Sequence, residues 1–373
     1  MGRARACAAY SSAIAANLRR MQVREQVPLS ELTTLRVGGP ARRLITAATI
    51  EEVVEVVRGA DAVDEPLLII AGGSNLLVGD HGFDGIVLQL ALGGIAIGEA
   101  GDGVRVVAGA GEPWDGVVTA CVGEGLAGVE CLSGIPGSTG ATPIQNVGAY
   151  GQDVSETIVS VSAFDRRAGS VVELEPRQCG FGYRSSAFKG SDRYVVLRVS
   201  FALERSPLAR GIRYAELART LGVAPGDRPA LGATREAVLE LRRAKGMVMD
   251  PDDPDSVSAG SFFLNPILSR EAFASLEQRA TQRLGEGTRV PVWPDANGSV
   301  KTSAAWLIER AGFHRGYGNG RAGISSKHTL AIVNRGGASS GELVALAREM
   351  RDGVRAAFGV SLQPEPTLVG VEF

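Results

Sequence analysis

Leu132-Ser-Gly-Ile-Pro-Gly-Ser-Thr-Gly-Ala-Thr-Pro-Ile-Gln-Asn-Val-Gly-Ala-Tyr150 is the densest run of backbone-permissive residues in the chain, and its reading decides the fold. Gly134, Gly137, Gly140 and Gly148 let the main chain take positive φ and approach another molecule closely, while Pro136 and Pro143 hold the bends. Consecutive N–H groups in such a turn form a concave donor site that suits a pyrophosphate without a buried cation. A long turn between strands would use the same residues. Gln145 and Asn146 favour the binding reading, because side-chain amides in a Gly-rich wall can serve the polar edge of a heteroaromatic ring.

Upstream, the apolar run Leu67-Leu-Ile-Ile-Ala71 predicts a strand buried on both faces, and it opens into Gly72-Gly-Ser-Asn-Leu-Leu77. No G-x-G-x-x-G follows this strand, and no Walker A sequence occurs in the chain. Gly-Gly-Ser-Asn can cradle a phosphate or ribose, or be a plain turn; two such loops in one chain strengthen the first reading. Earlier still, Leu32 to Ala41 alternates apolar and polar residues and predicts an entering strand. Thr49 and Glu52 form a capping box for a helix with Val53, Val54, Val56 and Val57 on its apolar side, stopped by Gly59.

Downstream, strands dominate: Gly85–Leu90, Val104–Ala108, Ile158–Phe164, Val171–Leu174 and Tyr194–Leu203. A helical face of Trp114, Val117, Val118, Cys121 and Val122 interrupts them, so the class is α+β rather than regular βαβ alternation. A helix is expected near Thr234–Lys245, and Asp250-Pro-Asp-Asp-Pro-Asp255 then reads as an exposed linker, with a metal site as the lesser alternative. The last third holds a helix around Ala304–Ala311, a strand Leu330–Asn334, a terminal helix from Glu342 and a closing strand Thr367–Phe373.

Composition bounds the rest. The 373 residues call for two or three domains, and 45% hydrophobic with 21% charged residues supply a folded core. With 39 basic against 41 acidic residues and no long block of either sign, no nucleic-acid footprint is visible. Cys7, Cys121, Cys131 and Cys179 are scattered and only three histidines occur, which gives no support to zinc or a disulfide framework. No apolar run approaches the ~18 residues of a membrane span, so a cytoplasmic protein with a loose N-terminal extension is expected.

Gly337-Ala-Ser-Ser-Gly341 matches G-x-S-x-G, but that hydrolase order needs a later histidine and the last one is His328. Ser339 and Glu342 are better explained as a helix capping box. Phe181-Gly-Tyr-Arg-Ser-Ser-Ala-Phe-Lys189 places Tyr183 and Arg184 after a Gly hinge, where the arginine can clamp a carboxylate or phosphate, or stay solvated. Ser261, between Gly260 and two phenylalanines, is either a hydroxyl donor in an apolar wall or a turn residue. Glu365 stands between Pro364 and Pro366, which limit where its carboxyl can point.

Five motifs in order, Gly-Gly-Ser-Asn-Leu-Leu, the Ile135 to Gly151 loop, Phe-Gly-Tyr-Arg-Ser-Ser-Ala-Phe-Lys, Ala-Gly-Ser-Phe-Phe-Leu-Asn-Pro and Gln-Pro-Glu-Pro, resemble the UDP-N-acetylenolpyruvoylglucosamine reductase family of bacterial peptidoglycan synthesis. The resemblance spans Leu32 to Phe373. It implies non-covalent FAD in a fold of the vanillyl-alcohol-oxidase type, NADPH as hydride donor, and reduction of the enolpyruvyl ether of UDP-N-acetylglucosamine to UDP-N-acetylmuramate.

Carried over by motif, the cofactor loops are Gly72, Gly73, Ser74, Asn75, Leu76 and Leu77, then Ile135, Pro136, Gly137, Ser138, Gly140 and Ala141, and beyond them Gln145, Asn146, Gly148, Ala149, Tyr150 and Gly151. The implied catalytic trio is Arg184, Ser261 and Glu365. Tyr183, Tyr214, Lys245 and Asn265 are the implied substrate contacts, Tyr214 as the residue that covers the nucleotide. Lys245 reads equally as a helix-end lysine, and Leu264 departs from the family's frequent lysine. No metal is implied, and a monomer is expected. The implied division is an extension at 1–21, FAD-binding parts at 22–92 with 359–373 and at 93–246, and a substrate-binding part at 247–358. Two rivals remain open on sequence: another FAD oxidoreductase of this fold acting on an alcohol or hydroxy acid, and a non-catalytic nucleotide-sugar binder.

Overall fold

The computed structural model describes residues 21–101 and 103–373; the expected extension at 1–21 therefore lies almost wholly outside the described residues. The chain forms two compact units, one from 21–28, 40–73 and 83–243, the other from 29–39, 74–82 and 244–373.

In the first unit, Gln22–Pro28, Pro40–Ala47, Phe83–Leu90 and Leu67–Ile70 lie side by side in that order; the last three are parallel and the first antiparallel to its neighbour. Helix α1 (Ile50–Ala62) crosses between two of these strands and opens on the expected capping box of Thr49 and Glu52. It does not stop at Gly59. That glycine is buried inside the helix, where it costs only about 1 kcal/mol relative to alanine. Leu67–Ile70 is an edge strand, and only Ile70 is fully buried, so the expectation of burial on both faces fails. A larger antiparallel sheet runs Ser170–Leu174, Ile158–Asp165, Tyr194–Arg205, Gly103–Gly109 and Ile95–Ala100, with helix α2 (Trp114–Gly123) packed into the same core through Trp114, Val117 and Val118. Two further helices, α3 (Ala215–Leu221) and α4 (Leu231–Ala244), follow the larger sheet in the chain.

The second unit gathers α5 (Arg270–Leu284), α6 (Ala304–Arg310) and α7 (Ser340–Phe358) around small sheets. Helix α7 begins on the expected capping box, Ser339 with Glu342, and buries Leu343, Leu346, Met350, Val354 and Phe358. Leu76–Val78 pairs in parallel with Thr367–Val369, which is why 74–82 and the closing residues belong to one unit.

Residues 32–39 are not a strand. After a 3-10 turn at Leu29–Glu31 the chain folds over, with Arg36 at φ 52° and Gly38 at φ 128°, and buries Leu35 and Val37 from a turn; the strand starts only at Pro40. The acidic run at 250–255 is mostly exposed, as expected, but its end is anchored. Asp255 is buried and accepts from the Ser326 N–H (3.0 Å) and hydroxyl (2.5 Å), and Asp253 pairs with Lys327 at 2.9 Å.

Candidate active site

The loop from 132 begins under tight control. Trp114 Nε1 donates to the Leu132 carbonyl at 3.1 Å, and the Gly134 N–H donates to Asp115 Oδ1 at 2.6 Å. Asp115 is gripped from α4 by both arms of Arg235, at 2.7 and 2.9 Å. Burial works against the Asp115 charge. The Arg235 hydrogen bonds, the Gly134 N–H and the charges of Arg235 and Arg242 together outweigh it and hold the carboxyl below its ordinary value. Arg242 itself is buried on the same helix, where desolvation lowers its pKa against the opposing influence of Tyr150 and Asp115. None of these ionic groups beneath the loop is marked by a motif in the sequence.

The next segment tests whether the chain can hold a dinucleotide. The N–H groups of Thr139 and Gly140 bond to the Glu112 and Ala110 carbonyls (2.8 and 2.9 Å), fixing the loop on the sheet end. Gly72 comes so close that a Cβ there would lie 2.6 Å from Gly137 Cα and 3.0 Å from the Ser138 nitrogen, and its own N–H donates to Ser138 Oγ at 3.2 Å. Two glycine-rich turns thus meet main chain to main chain, with Gly73 and Gly137 at φ 57° and 109°. A bare peptide surface of this kind suits close approach by a diphosphate, so these residues fit FAD.

The far end of the loop is built differently. Three non-glycine residues sit in the left-handed region, Asn146 (φ 45°), Tyr150 (φ 48°) and Arg184 (φ 49°). Such residues are rare and are retained where surrounding bonds over-determine them. Asn146 is buried, donates from Nδ2 to the Gly182 carbonyl (3.0 Å) and accepts from the Ser155 N–H at Oδ1 (3.1 Å). Each end of its amide thus makes one bond within the protein, which leaves a second N–H and a second lone pair on the same side chain. Tyr150 and Gly151 are the two central residues of a hairpin pairing Gly148–Ala149 with Gln152–Asp153, both at positive φ as a type I′ turn requires. A Cβ on Gly148 would lie 1.7 Å from Asp153 Oδ1.

Arg184 occupies a turn closed by reciprocal Gly182 and Ser185 main-chain bonds. Its guanidinium reaches the carbonyls of Asn146 (3.2 Å) and Gly148, pairs with Asp153 at 3.4 Å, and lies 5.4 Å from the Tyr183 ring centre. The arginine is therefore a fixed part of the loop and not a solvated surface group: its side chain is only 18% exposed. Tyr150 packs edge-on against Tyr214, with ring centres 5.4 Å apart, and burial pushes its phenol up to about 12.

In the second unit, strand Ser258–Ser261 carries Ser261 opposite Ala331, after Gly260 at φ 76°. The chain then pairs with the proline-flanked segment: Leu264 N–H to the Gln363 carbonyl (3.0 Å) and Glu365 N–H to the Phe262 carbonyl (2.8 Å). Ser261 and Glu365 are thus on neighbouring, hydrogen-bonded main chains. Asn75 joins them, accepting from the Thr367 N–H at 2.9 Å and donating to the Glu365 carbonyl at 3.4 Å. Ser74 is held by Thr34, whose hydroxyl also reaches the Ser258 carbonyl at 2.6 Å. Asn265 follows on the same stretch, and its Oδ1 accepts from the Ala304 N–H at 3.0 Å at the start of α6. Lys245 directly follows the last residue of α4 and precedes Gly246 at φ 64°.

Two family descriptions match the chain: an FAD binding domain over residues 41–175, and the C-terminal domain of UDP-N-acetylenolpyruvoylglucosamine reductase over 252–369. The UDP-N-acetylenolpyruvoylglucosamine reductase of Thermobifida fusca is 57% identical over 346 residues, covering 92% of this chain and 97% of that one. This chain belongs to the UDP-N-acetylenolpyruvoylglucosamine reductase family. The reductase of Streptomyces coelicolor is 56% identical, covering 94% and 91% of the two chains. The crystal structure of the Thermus caldophilus reductase superposes with a TM-score of 0.63 at 26% identity, over 94% of this chain and 99% of that one. As a member of this reductase family the chain is an FAD-containing oxidoreductase of α+β class, as its motifs led us to expect.

Proposed function

We propose that this protein reduces the enolpyruvyl ether of UDP-N-acetylglucosamine to UDP-N-acetylmuramate, a step of peptidoglycan precursor synthesis, with NADPH as hydride donor. The glycine-rich stretches 72–77 and 135–151 would hold the FAD. Bound there, FAD would supply hydride transfer between NADPH and the terminal carbon of the enolpyruvyl double bond.

The chain's own residues answer the problem that an enol ether is a poor hydride acceptor unless negative charge can spread onto its conjugated carboxylate. Arg184 offers fixed N–H donors to those oxygens, where they are worth most as charge builds. Glu365, sharing a proton, supplies a second donor. Ser261 delivers the proton to the α-carbon; a hydroxyl is a weak acid, so it acts on the strongly basic enol and is reprotonated through neighbours or water. Tyr183, Tyr214, Lys245 and Asn265 contact the nucleotide sugar, Tyr214 as the residue that covers the nucleotide. The observation that most supports these roles is the main-chain pairing of Phe262 with Glu365, which makes neighbours of Ser261 and Glu365.

The protein works as a monomer in the cytoplasm, without nucleic-acid or membrane partners; no helix among the described residues is long and apolar enough to cross a membrane. Incubation with NADPH and the enolpyruvyl nucleotide sugar should oxidise one NADPH per sugar consumed and give the lactyl ether by mass spectrometry. NADPH oxidation with the nucleotide sugar left intact would contradict the reading.

A further inference from the structure

Glu130 is completely buried beside the cofactor loop, and its carboxyl accepts from three donors drawn from three segments. They are the Gly128 N–H (2.5 Å), the Gln152 Nε2 (3.0 Å) and the Arg210 N–H (2.8 Å). Gln152 turns its other end to the Cys131 N–H at 2.9 Å, so it is locked in place as well. Gln152 belongs to the hairpin that carries Tyr150; Arg210 belongs to the segment 206–214 that leads to Tyr214. The same two segments also meet at Gly151, where a Cβ would be 3.1 Å from Arg213 Cβ, and in the Arg213–Glu156 pair at 2.6 Å. The Tyr150–Tyr214 ring contact closes the set.

We propose that Glu130 is a positioning residue for nucleotide recognition: a buried acceptor that docks the Tyr214-bearing segment onto the cofactor hairpin and sets where the Tyr214 ring stands. The inference rests on the reading of Tyr214 as the residue that covers the nucleotide. An acceptor with three donors aimed at it has no tolerated isostere, because an amide in its place turns an N–H₂ toward a main-chain N–H. Glu130 touches neither reacting atom, so its loss acts through the segment it holds.

The test is a double-mutant cycle on the FAD-loaded enzyme, reading KM for the enolpyruvyl nucleotide sugar, kcat, flavin content and circular dichroism for Glu130→Gln, Tyr214→Ala and the pair. Glu130→Gln should raise that KM about tenfold and change kcat less than about threefold. In the Tyr214→Ala background it should add almost nothing. Should Glu130→Gln fail to fold, Arg213→Ala carries the test through the same segment, with a rise of about two- to threefold that also vanishes when Tyr214 is alanine. Multiplying effects in the pair, or a fall in kcat at unchanged KM, would overturn the role of Glu130. A Tyr214→Ala enzyme with unaltered KM would instead refute the reading of Tyr214.

Discussion

The end of the cofactor loop in the first unit and the Ser261–Glu365 region of the second solve one problem by opposite means. In the first, the side chain proposed to act sits on strained backbone: Asn146, Tyr150 and Arg184 are all left-handed, and side-chain bonds from Asn146 and Arg184 hold the turns together. In the second, main-chain bonds do the holding, from Phe262 and Leu264 to Glu365 and Gln363. On the proposed roles, the difference teaches that side chain and scaffold are separable in the second region and fused in the first. Substitutions should expose this.

Arg184→Ala gives the largest effect: turnover of the enolpyruvyl substrate should fall ~10³, and thermal stability should fall too, because the guanidinium also ties the loop. A variant that loses activity with an unchanged melting curve would erase the contrast. Ser261→Ala should cut the same turnover by at least ~10² while leaving folding and flavin reduction by NADPH nearly intact; equal loss in both half-reactions would refute its role as proton donor. Asn146→Ala should cost about 1 kcal/mol in chemical denaturation, since the half-buried Ser155 N–H and the Gly182 carbonyl lose their partner; a silent variant would show that the strained loop holds itself.

Asp115 supplies a pH signature. Its folded pKa lies below the ordinary 3.8, so its contribution is complete above about pH 4 and is lost as pH falls through the folded value. Flavin release followed by fluorescence should therefore rise as the pH is taken below about 4 in the native protein, and the slope should be shallower in Asp115→Asn. The smallest effect is expected of Gln363→Ala, within about 0.5 kcal/mol, because only that residue's carbonyl takes part in the pairing.

Local signals were the legible ones. The capping boxes at Thr49 and Ser339 need only three residues of context, and both helices start where those residues say. The α+β class and the family follow from motifs that are contiguous in the chain. Long-range commitments left no local trace. The bonds that tie Asn146 to Gly182 and Ser155 could not be read from its neighbours in the chain, and Asp255 looks solvated until Ser326 is placed on it. Alternation at Leu32–Val37 misled because a folded-over turn can bury Leu35 and Val37 as well as a strand can. Glu130 and Asp115 carry no motif at all; a lone carboxylate near a glycine-rich loop becomes meaningful only when its donors are located.

The most direct measurement is anaerobic spectroscopy of the purified protein. The account predicts a yellow protein whose flavin absorbance bleaches with NADPH and returns when the enolpyruvyl nucleotide sugar is added. A colourless polypeptide that takes up no FAD on reconstitution, or a bleached flavin that stays bleached in the presence of that sugar, would contradict it.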